Sequence, residues 1–502
     1  MNSIGRFVGS FADPECYRRD DIATRLEELG IAKGSVRQVK VDEEEIGLFC
    51  SSEPRKITLL DNFHDPLGRL LAIIYPSGQK KKEIYIARKT KNIDEDIIYR
   101  SENMKFQESL SLLTPLFIHY ESLRGATKGK QEEPIYILLL NYWDGPNADM
   151  DVIALRNAID LRKKKLNSDR FITNKNKEKY SSEIKTLEDI LKDEIILNAL
   201  NTMVEFSTKA TDIVENNNFK LPNTKVKIEV VEDPFNFYIG KRERQFKAML
   251  YWNLVDRGER IMEDILLEGK YIRHMVSHNW DTFNELVEPF RNYMFVEGRN
   301  VYSQGDQHLH HFKRVKSRDS DKARMGIFDM GNVMMEDPIF CASRLLTSYI
   351  LGFNREQIKD AYVKGYSDFV AKFKPEVDEK KLELAFELCT LIETMWSASK
   401  RAHDDIYNKE VYESKTGLIG ERLRYYQNTL LPLVGSIELP TAVDYRLFNP
   451  PVAIASSKRL MRDIIQGLRS EITSYYGEPN LEDPLKNLEE FLEGNIIETK
   501  IK

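Results

Sequence analysis

Ser303-Gln304-Gly305-Asp306-Gln307-His308-Leu309-His310-His311 and, about twenty residues on, Ile327-Phe328-Asp329-Met330-Gly331 with Glu336-Asp337-Pro338 behind it decide how this 502-residue chain reads. Gly-Asp is an ordinary turn dipeptide, and by itself Gly305-Asp306 would be a His-rich surface loop with a capping carboxylate. The second half changes that: an apolar run stops at Asp329 and is followed, at a short distance, by Asp337-Pro338. Phosphoryl transfer needs a carboxylate near the acceptor hydroxyl, a group that coordinates magnesium, and a further carboxylate that bridges metal and ATP phosphates. Two short loops in this order can supply all three.

The pair of loops resembles the aminoglycoside phosphotransferase and choline kinase superfamily, in which an H-G-D-x-H-x-x-N loop is followed by an I-D-F-G/D strand end and a D-P turn. The lead-in Val296-Glu297-Gly298-Arg299-Asn300-Val301 resembles the helix end and turn that precede the loop in some bacterial members. The resemblance implies an α+β, bilobal, protein-kinase-like fold: a small antiparallel-β N-lobe and a large, mostly helical C-lobe with helical insertions. It also implies ATP and Mg2+ as cofactors. Residue by residue it makes Asp306 the catalytic aspartate and His308 the histidine that follows it, while His311 takes the place of the metal-binding asparagine and Asp329 that of the metal-binding aspartate. Gln304 stands where the superfamily usually has histidine, and imidazole at His311 is a poorer partner than an oxygen donor for hard magnesium, though some members carry histidine there.

Upstream, Lys56–Leu60, Arg69–Tyr75 and Glu83–Lys89 read as strands, with Pro66-Leu67-Gly68 and Pro76-Ser77-Gly78 as turns, which predicts an antiparallel meander. A helix is predicted from Ser101 to Leu123, then an apolar strand from Ile135 to Leu140 running into Asn141-Tyr142-Trp143-Asp144-Gly145. A kinase-like lobe needs a strand lysine on the α- and β-phosphates and a helix glutamate to hold it. Ala87-Arg88-Lys89 matches the superfamily's A-x-K strand ending, which points to Lys89, with Arg88 competing because one register slip exchanges the faces. Glu108 is the best-placed partner and Glu102 the second. Leu140 and Tyr142 resemble the strand and hinge that cup the adenine. No G-x-G-x-x-G lies between the first two strands, which counts against an ordinary protein kinase.

Apolar residues make up 41% and charged residues 31% of the chain, enough for several packed units behind an ionised surface. A net charge of -6 gives no general attraction for nucleic acid or anionic membrane. Cys16, Cys50, Cys341 and Cys389 form no CxxC pair, so neither a zinc knuckle nor a disulfide framework is suggested, and a cytoplasmic setting fits. Met1–Arg6 has no apolar core of a signal peptide and no run approaches 18 apolar residues, so neither secretion nor a membrane span is expected.

The resulting division is 1–44 as an N-terminal appendage containing a short helix at Asp21–Leu29, 45–150 as the N-lobe, 151–430 as the helical C-lobe with catalytic and metal loops at 303–338, and 431–502 as a C-terminal helical extension. Within it, the charged stretch 160–195 reads as a solvated helical hairpin, 241–297 and 355–430 as helices, and prolines 440, 450 and 451 as an irregular passage before a last helix at Ser456–Tyr475. Three other patterns read as ordinary structure: Gly125–Gln131 is one residue short of a P-loop, His274 and His278 lack the glutamate of H-E-x-x-H, and Lys458–Arg462 is a basic surface helix. The expected activity is ATP- and Mg2+-dependent transfer to a hydroxyl of a small-molecule acceptor, without nucleic acid or membrane and with oligomeric state open. A catalytically silent relative that binds a nucleotide or a protein partner is the alternative.

Overall fold

The computed structural model describes residues 39–41, 53–59, 69–75, 117–124, 134–141, 147–168, 173–216, 229–230, 285–316, 323–330, 333–348, 350–407, 430–440 and 450–493. They fall into two compact units. The first comprises Met1–Asp144 with Ile213–Lys227 and Gly326–Gly331, and the second comprises Gly145–Asp212, Ile228–Met325 and Asn332–Lys502.

The first unit is built on a sheet of β1 (Val39–Val41), β2 (Glu53–Leu59), β3 (Arg69–Tyr75), β4 (Phe117–Arg124) and β5 (Pro134–Asn141), in the order β1-β2-β3-β5-β4. Every pairing is antiparallel. The two most continuously apolar runs, Leu70–Tyr75 and Ile135–Leu140, occupy inner positions, as strands flanked on both sides should. Pro134, which has no N–H to give a ladder, opens its strand.

Two expectations change here. The stretch 117–123, read as the end of a helix, is strand β4: Phe117-Ile118-His119-Tyr120 is aromatic and β-branched, and pairing with β5 from Phe117↔Leu140 to Arg124↔Pro134 overrides the helical spacing of the leucines before it. Val39–Val41, assigned to the appendage, pairs with Ile57–Leu59 and so belongs to the sheet. The strand expected at Glu83–Lys89, the helices at 21–29 and 241–284, and the patterns at 125–131 and His274/His278 lie outside the described residues.

The second unit is mainly helical. Helices α1 (Ala148–Ser168) and α2 (Asn174–Asp189) form the expected charged hairpin, tied by Arg162 to Glu183 at 2.5 Å and Lys163 to Glu188 at 2.8 Å. Thr173 caps α2 by accepting the Asn176 N–H. The helix then widens into a π-helical stretch, Ile190–Leu197, before α3 (Asn198–Asn216). The wider turn keeps Ile190, Leu191, Ile195 and Ile196 all buried.

Next in order come the short strands β6 (Glu229–Val230), β7 (Val301–Ser303), β8 (Phe312–Lys316), β9 (Ala323–Ile327) and β10 (Met334–Glu336). Helices α4 (Pro338–Leu346), α5 (Arg355–Gly365), α6 (Ser367–Phe373), α7 (Glu379–Tyr407), α8 (Pro450–Tyr476) and α9 (Glu482–Glu493) follow, while Gly326 and Ile327 at the end of β9 belong to the first unit. The middle of α7 is buried on every side, from Leu384 through Met395, because α4 and α8 both pack on it. Its buried hydroxyls stay inside the helix: Thr390 and Thr394 donate to the carbonyls of Phe386 and Thr390. Pro450 and Pro451, read as irregular, instead open α8, where a missing N–H costs nothing. Helix α9 was not anticipated, and residues 450–493 belong to the second unit. No described helix is long and apolar enough to cross a membrane.

Candidate active site

The Ser303–His311 loop leaves a small three-stranded sheet, ordered β6-β10-β7, in which Ser303 pairs with Met334 and Val301 with Glu336. This antiparallel pair sets Glu336 opposite Val301, with Asp337-Pro338 beside the lead-in of the loop. Gly305 turns the chain with φ 79, a conformation that suits glycine. Its N–H donates to Ser303 Oγ at 3.1 Å, and the Asp306 N–H donates to Gln304 Oε1 at 2.9 Å. Beyond Asp306 the chain tightens, the His308 N–H donating to the Asp306 carbonyl and the His311 N–H to the His308 carbonyl, both at 2.8 Å. The loop is therefore held in shape by its own backbone and side-chain hydrogen bonds.

Underneath lies a buried polar cluster. Arg344, in the otherwise apolar α4 and 1% exposed, donates to the Gly305 carbonyl and to Gln307 Oε1 at 3.1 Å. Its charge is balanced by Glu393 of α7, with Nε to Oε2 at 3.9 Å, and by Glu336. Glu336 accepts from Ser303 Oγ, from Gln307 Nε2 at 3.2 Å and from the Cys341 thiol at 3.4 Å. Burial pushes its carboxyl up to about 7, even though Arg344 pulls the other way. Asp337 caps α4 through the Ile339 N–H at 2.9 Å and meets Lys374 at 3.0 Å, while Lys374 also donates to the Val296 carbonyl at 2.5 Å. The Asp-Pro turn is thus bolted to both the lead-in of the loop and helix α6's end.

The structure brings Asp306, His308 and His311 together. His308 Nε2 lies 3.1 Å from Asp306 Oδ1. Burial works against charge on Asp306, but His308, His311 and Arg344 hold its carboxyl well below the usual carboxylate range. His311 is 4% exposed, and its Nδ1 is 2.6 Å from the Asp306 carbonyl. A carbonyl only accepts, so Nδ1 carries a hydrogen. Gln304 Nε2, 3.2 Å from the same Nδ1, is then a close neighbour rather than a donor to it. A ring nitrogen donating to a carbonyl is the usual way a metal-ligating histidine is oriented, so His311 is compatible with a cation on Nε2. Imidazole is nevertheless a soft choice for magnesium, and among the described residues no three His, Cys, Asp or Glu side chains converge into a metal site.

Asp329, exposed at the end of β9, has φ 59 and is the one non-glycine with positive φ among the described residues. Aspartate tolerates the left-handed region better than most residues, yet holding it there costs energy, and such positions concentrate at functional sites. Leu140 lies in β5 opposite Leu71 and Phe117. Lys89, Glu108 and Tyr142 lie outside the described residues.

The sequence reasoning missed Arg344, Gln307, Glu393 and Lys374. A lone arginine inside Pro338-Ile339-Phe340-Cys341-Ala342-Ser343-Arg344-Leu345-Leu346 was the available signal, since a charge in an apolar helix has to be answered by a buried partner. Asp149, at the start of α1, was missed too. Burial, with Asp151 beside it, raises its carboxyl to about 6, and His311 pulls it back.

No protein-family model matches the chain, and no curated protein matches it. Among solved structures the chain is similar to choline kinase from Cryptosporidium parvum Iowa II, at 10% identity over 81% of this chain and 98% of that one, with a TM-score of 0.41. It is also similar to Plasmodium vivax ethanolamine kinase, at 7% identity over 85% and 83% with a TM-score of 0.38. A third is an aminoglycoside-3'-phosphotransferase of type VIII, at 12% identity over 75% and 100% with a TM-score of 0.35.

Proposed function

We propose that the protein is an ATP-dependent phosphotransferase acting on a hydroxyl of a small molecule. The observation that carries this is the geometry at Asp306: its carboxylate meets His308 Nε2 at 3.1 Å on a loop whose backbone is fixed from below by Arg344, Gln307 and Glu336, and His308, His311 and Arg344 favour its charged form against burial. A group held so far toward its charged form is a weak base in the ground state. Its work is to orient the acceptor hydroxyl and to take the proton as the oxygen loses it to bond formation with phosphorus. His308, paired with Oδ1, fixes the carboxylate's rotation.

Asp329 is the proposed metal-binding carboxylate, with His311 Nε2 the second candidate ligand, and Lys89, paired with Glu108, the proposed phosphate lysine. Leu140 and Tyr142 are the proposed adenine contacts. Magnesium, when bound, would neutralise charge between the terminal phosphates. Most of the rate enhancement would come from positioning and charge stabilisation.

The test has two stages. Magnesium-dependent ATP binding is read by thermal shift on wild type and Asp329→Ala, where the variant should lose most of the response. ATP consumption is then screened against hydroxylated and amino-bearing acceptors, with Asp306→Asn lowering turnover by about a hundredfold or more. A wild type that shows no nucleotide response, or an Asp306→Asn variant that turns over normally, removes the basis of the reading.

A further inference from the structure

Outside the residues assigned to phosphoryl transfer, Arg156 of α1 has a buried guanidinium nitrogen left without a bond. Its Nε is buried without a hydrogen-bond partner, and no hydrogen bond from its guanidinium to any described residue exists. Asp160 and Glu188 attract it through space, and Glu188 is already paired with Lys163 at 2.8 Å. A second guanidinium, Arg459 of α8, is close enough to repel it. Two neighbouring arginines, one of them desolvated, in a chain with net charge -6 make an arrangement that the folded protein alone does not reward.

Gly352 lets the Arg156 guanidinium lie close against the backbone. This glycine has φ 56, and a Cβ there would stand 2.8 Å from Arg156 Nη2 and 3.5 Å from Ser456 Oγ. The absent side chain therefore lets a guanidinium and a hydroxyl approach the same backbone turn. Arg459 Nη2 donates to the Gly352 carbonyl at 3.3 Å, which sets the second guanidinium at the rim, exposed to solvent. We propose that Arg156, Arg459 and Ser456, grouped around Gly352, form a binding site for a phosphate-type oxyanion. Guanidiniums suit such a ligand because their fixed forks bond tetrahedral oxyanions at two points, and a dianion would turn the repulsion between the two arginines into a shared attraction. None of these residues is among those assigned to phosphoryl transfer, and the site needs no nucleotide.

The full-length protein is titrated with inorganic phosphate and, in a second arm, with glycerol 3-phosphate, following thermal unfolding against sodium chloride at matched ionic strength. Wild type should be stabilised by one or both phosphate ligands and not by chloride. A response to inorganic phosphate alone assigns the site to the free ion, and a response to the ester alone assigns it to phosphomonoesters. Arg459→Gln removes an exposed rim group and should leave the fold intact while weakening binding by at least about tenfold, the loss of a charge-assisted contact. Ser456→Ala should weaken it less, and Asp306→Asn should respond as wild type, which separates this site from the proposed transfer site. The proposal is overturned if wild type responds to neither ligand, or if Arg459→Gln responds as strongly as wild type.

Discussion

Replacing Glu336 by glutamine should make the protein more stable at alkaline pH and change it little in acid. Glu336 is fully buried, and its Oε1 already receives the Ser303 hydroxyl, the Gln307 amide and the Cys341 thiol. A glutamine oxygen accepts the same three donors, so the hydrogen bonds survive and only the charge goes. The folded-state carboxyl titrates at about 7, against an ordinary 4.5. Between those values the folded protein holds a proton that the unfolded chain has released. The contribution of Glu336 is therefore most favourable below about 4.5, declines as pH rises, and is at its least above about 7. At about 1.4 kcal/mol per pH unit, the span corresponds to roughly 3 kcal/mol. Glu336→Gln removes this dependence, and Arg344 keeps Glu393 as a partner. Thermal unfolding of both proteins at pH 5 and pH 8 checks it: the variant should gain several degrees on wild type at the higher pH. A gap of the same size at both values would refute the claim that Glu336 is a buried carboxyl with a raised pKa.

Lys374→Met should destabilise by about 3–5 kcal/mol, read by chemical denaturation, because it strands the buried Asp337 carboxylate and frees the Val296 carbonyl. Gly467→Ala places a methyl 2.1 Å from the Arg355 guanidinium, so that arginine must leave its two-point bond with Glu387 at 2.7 and 2.8 Å; a loss of about 1–3 kcal/mol is expected in the same assay. Asn354→Ala removes the capping box of α5, in which the Asn354 side chain accepts the Gln357 N–H at 2.9 Å and Gln357 accepts the Asn354 N–H at 3.1 Å, and should cost about 1 kcal/mol.

The inner strands were legible because an apolar run bounded by turns has few alternatives to a flanked strand, and β3 and β5 appear where their leucines and isoleucines place them. Strand β4 was not, because Leu110, Leu113, Leu116 and Phe117 fit a helix until β5 supplies hydrogen bonds to the segment that follows. The loop itself, with Gly305 at its turn and Asp306 beyond, was legible as a motif, since a positive φ and a projecting carboxylate are local properties of a few residues.

By itself, then, the sequence determined the apolar strands, the charged α1–α2 hairpin and the order of Gly305, Asp306, Asp329 and Asp337-Pro338, all of which depend on near neighbours in the chain. Only the tertiary structure decided that Arg344 and Glu393 lie under the loop, that Lys374 clamps the Asp337 turn, and that Arg156 and Arg459 both reach the Gly352 backbone. The physical reason is separation: these partners stand tens to hundreds of residues apart, and no local pattern says which buried charge answers which until the packed helices bring them within bonding distance.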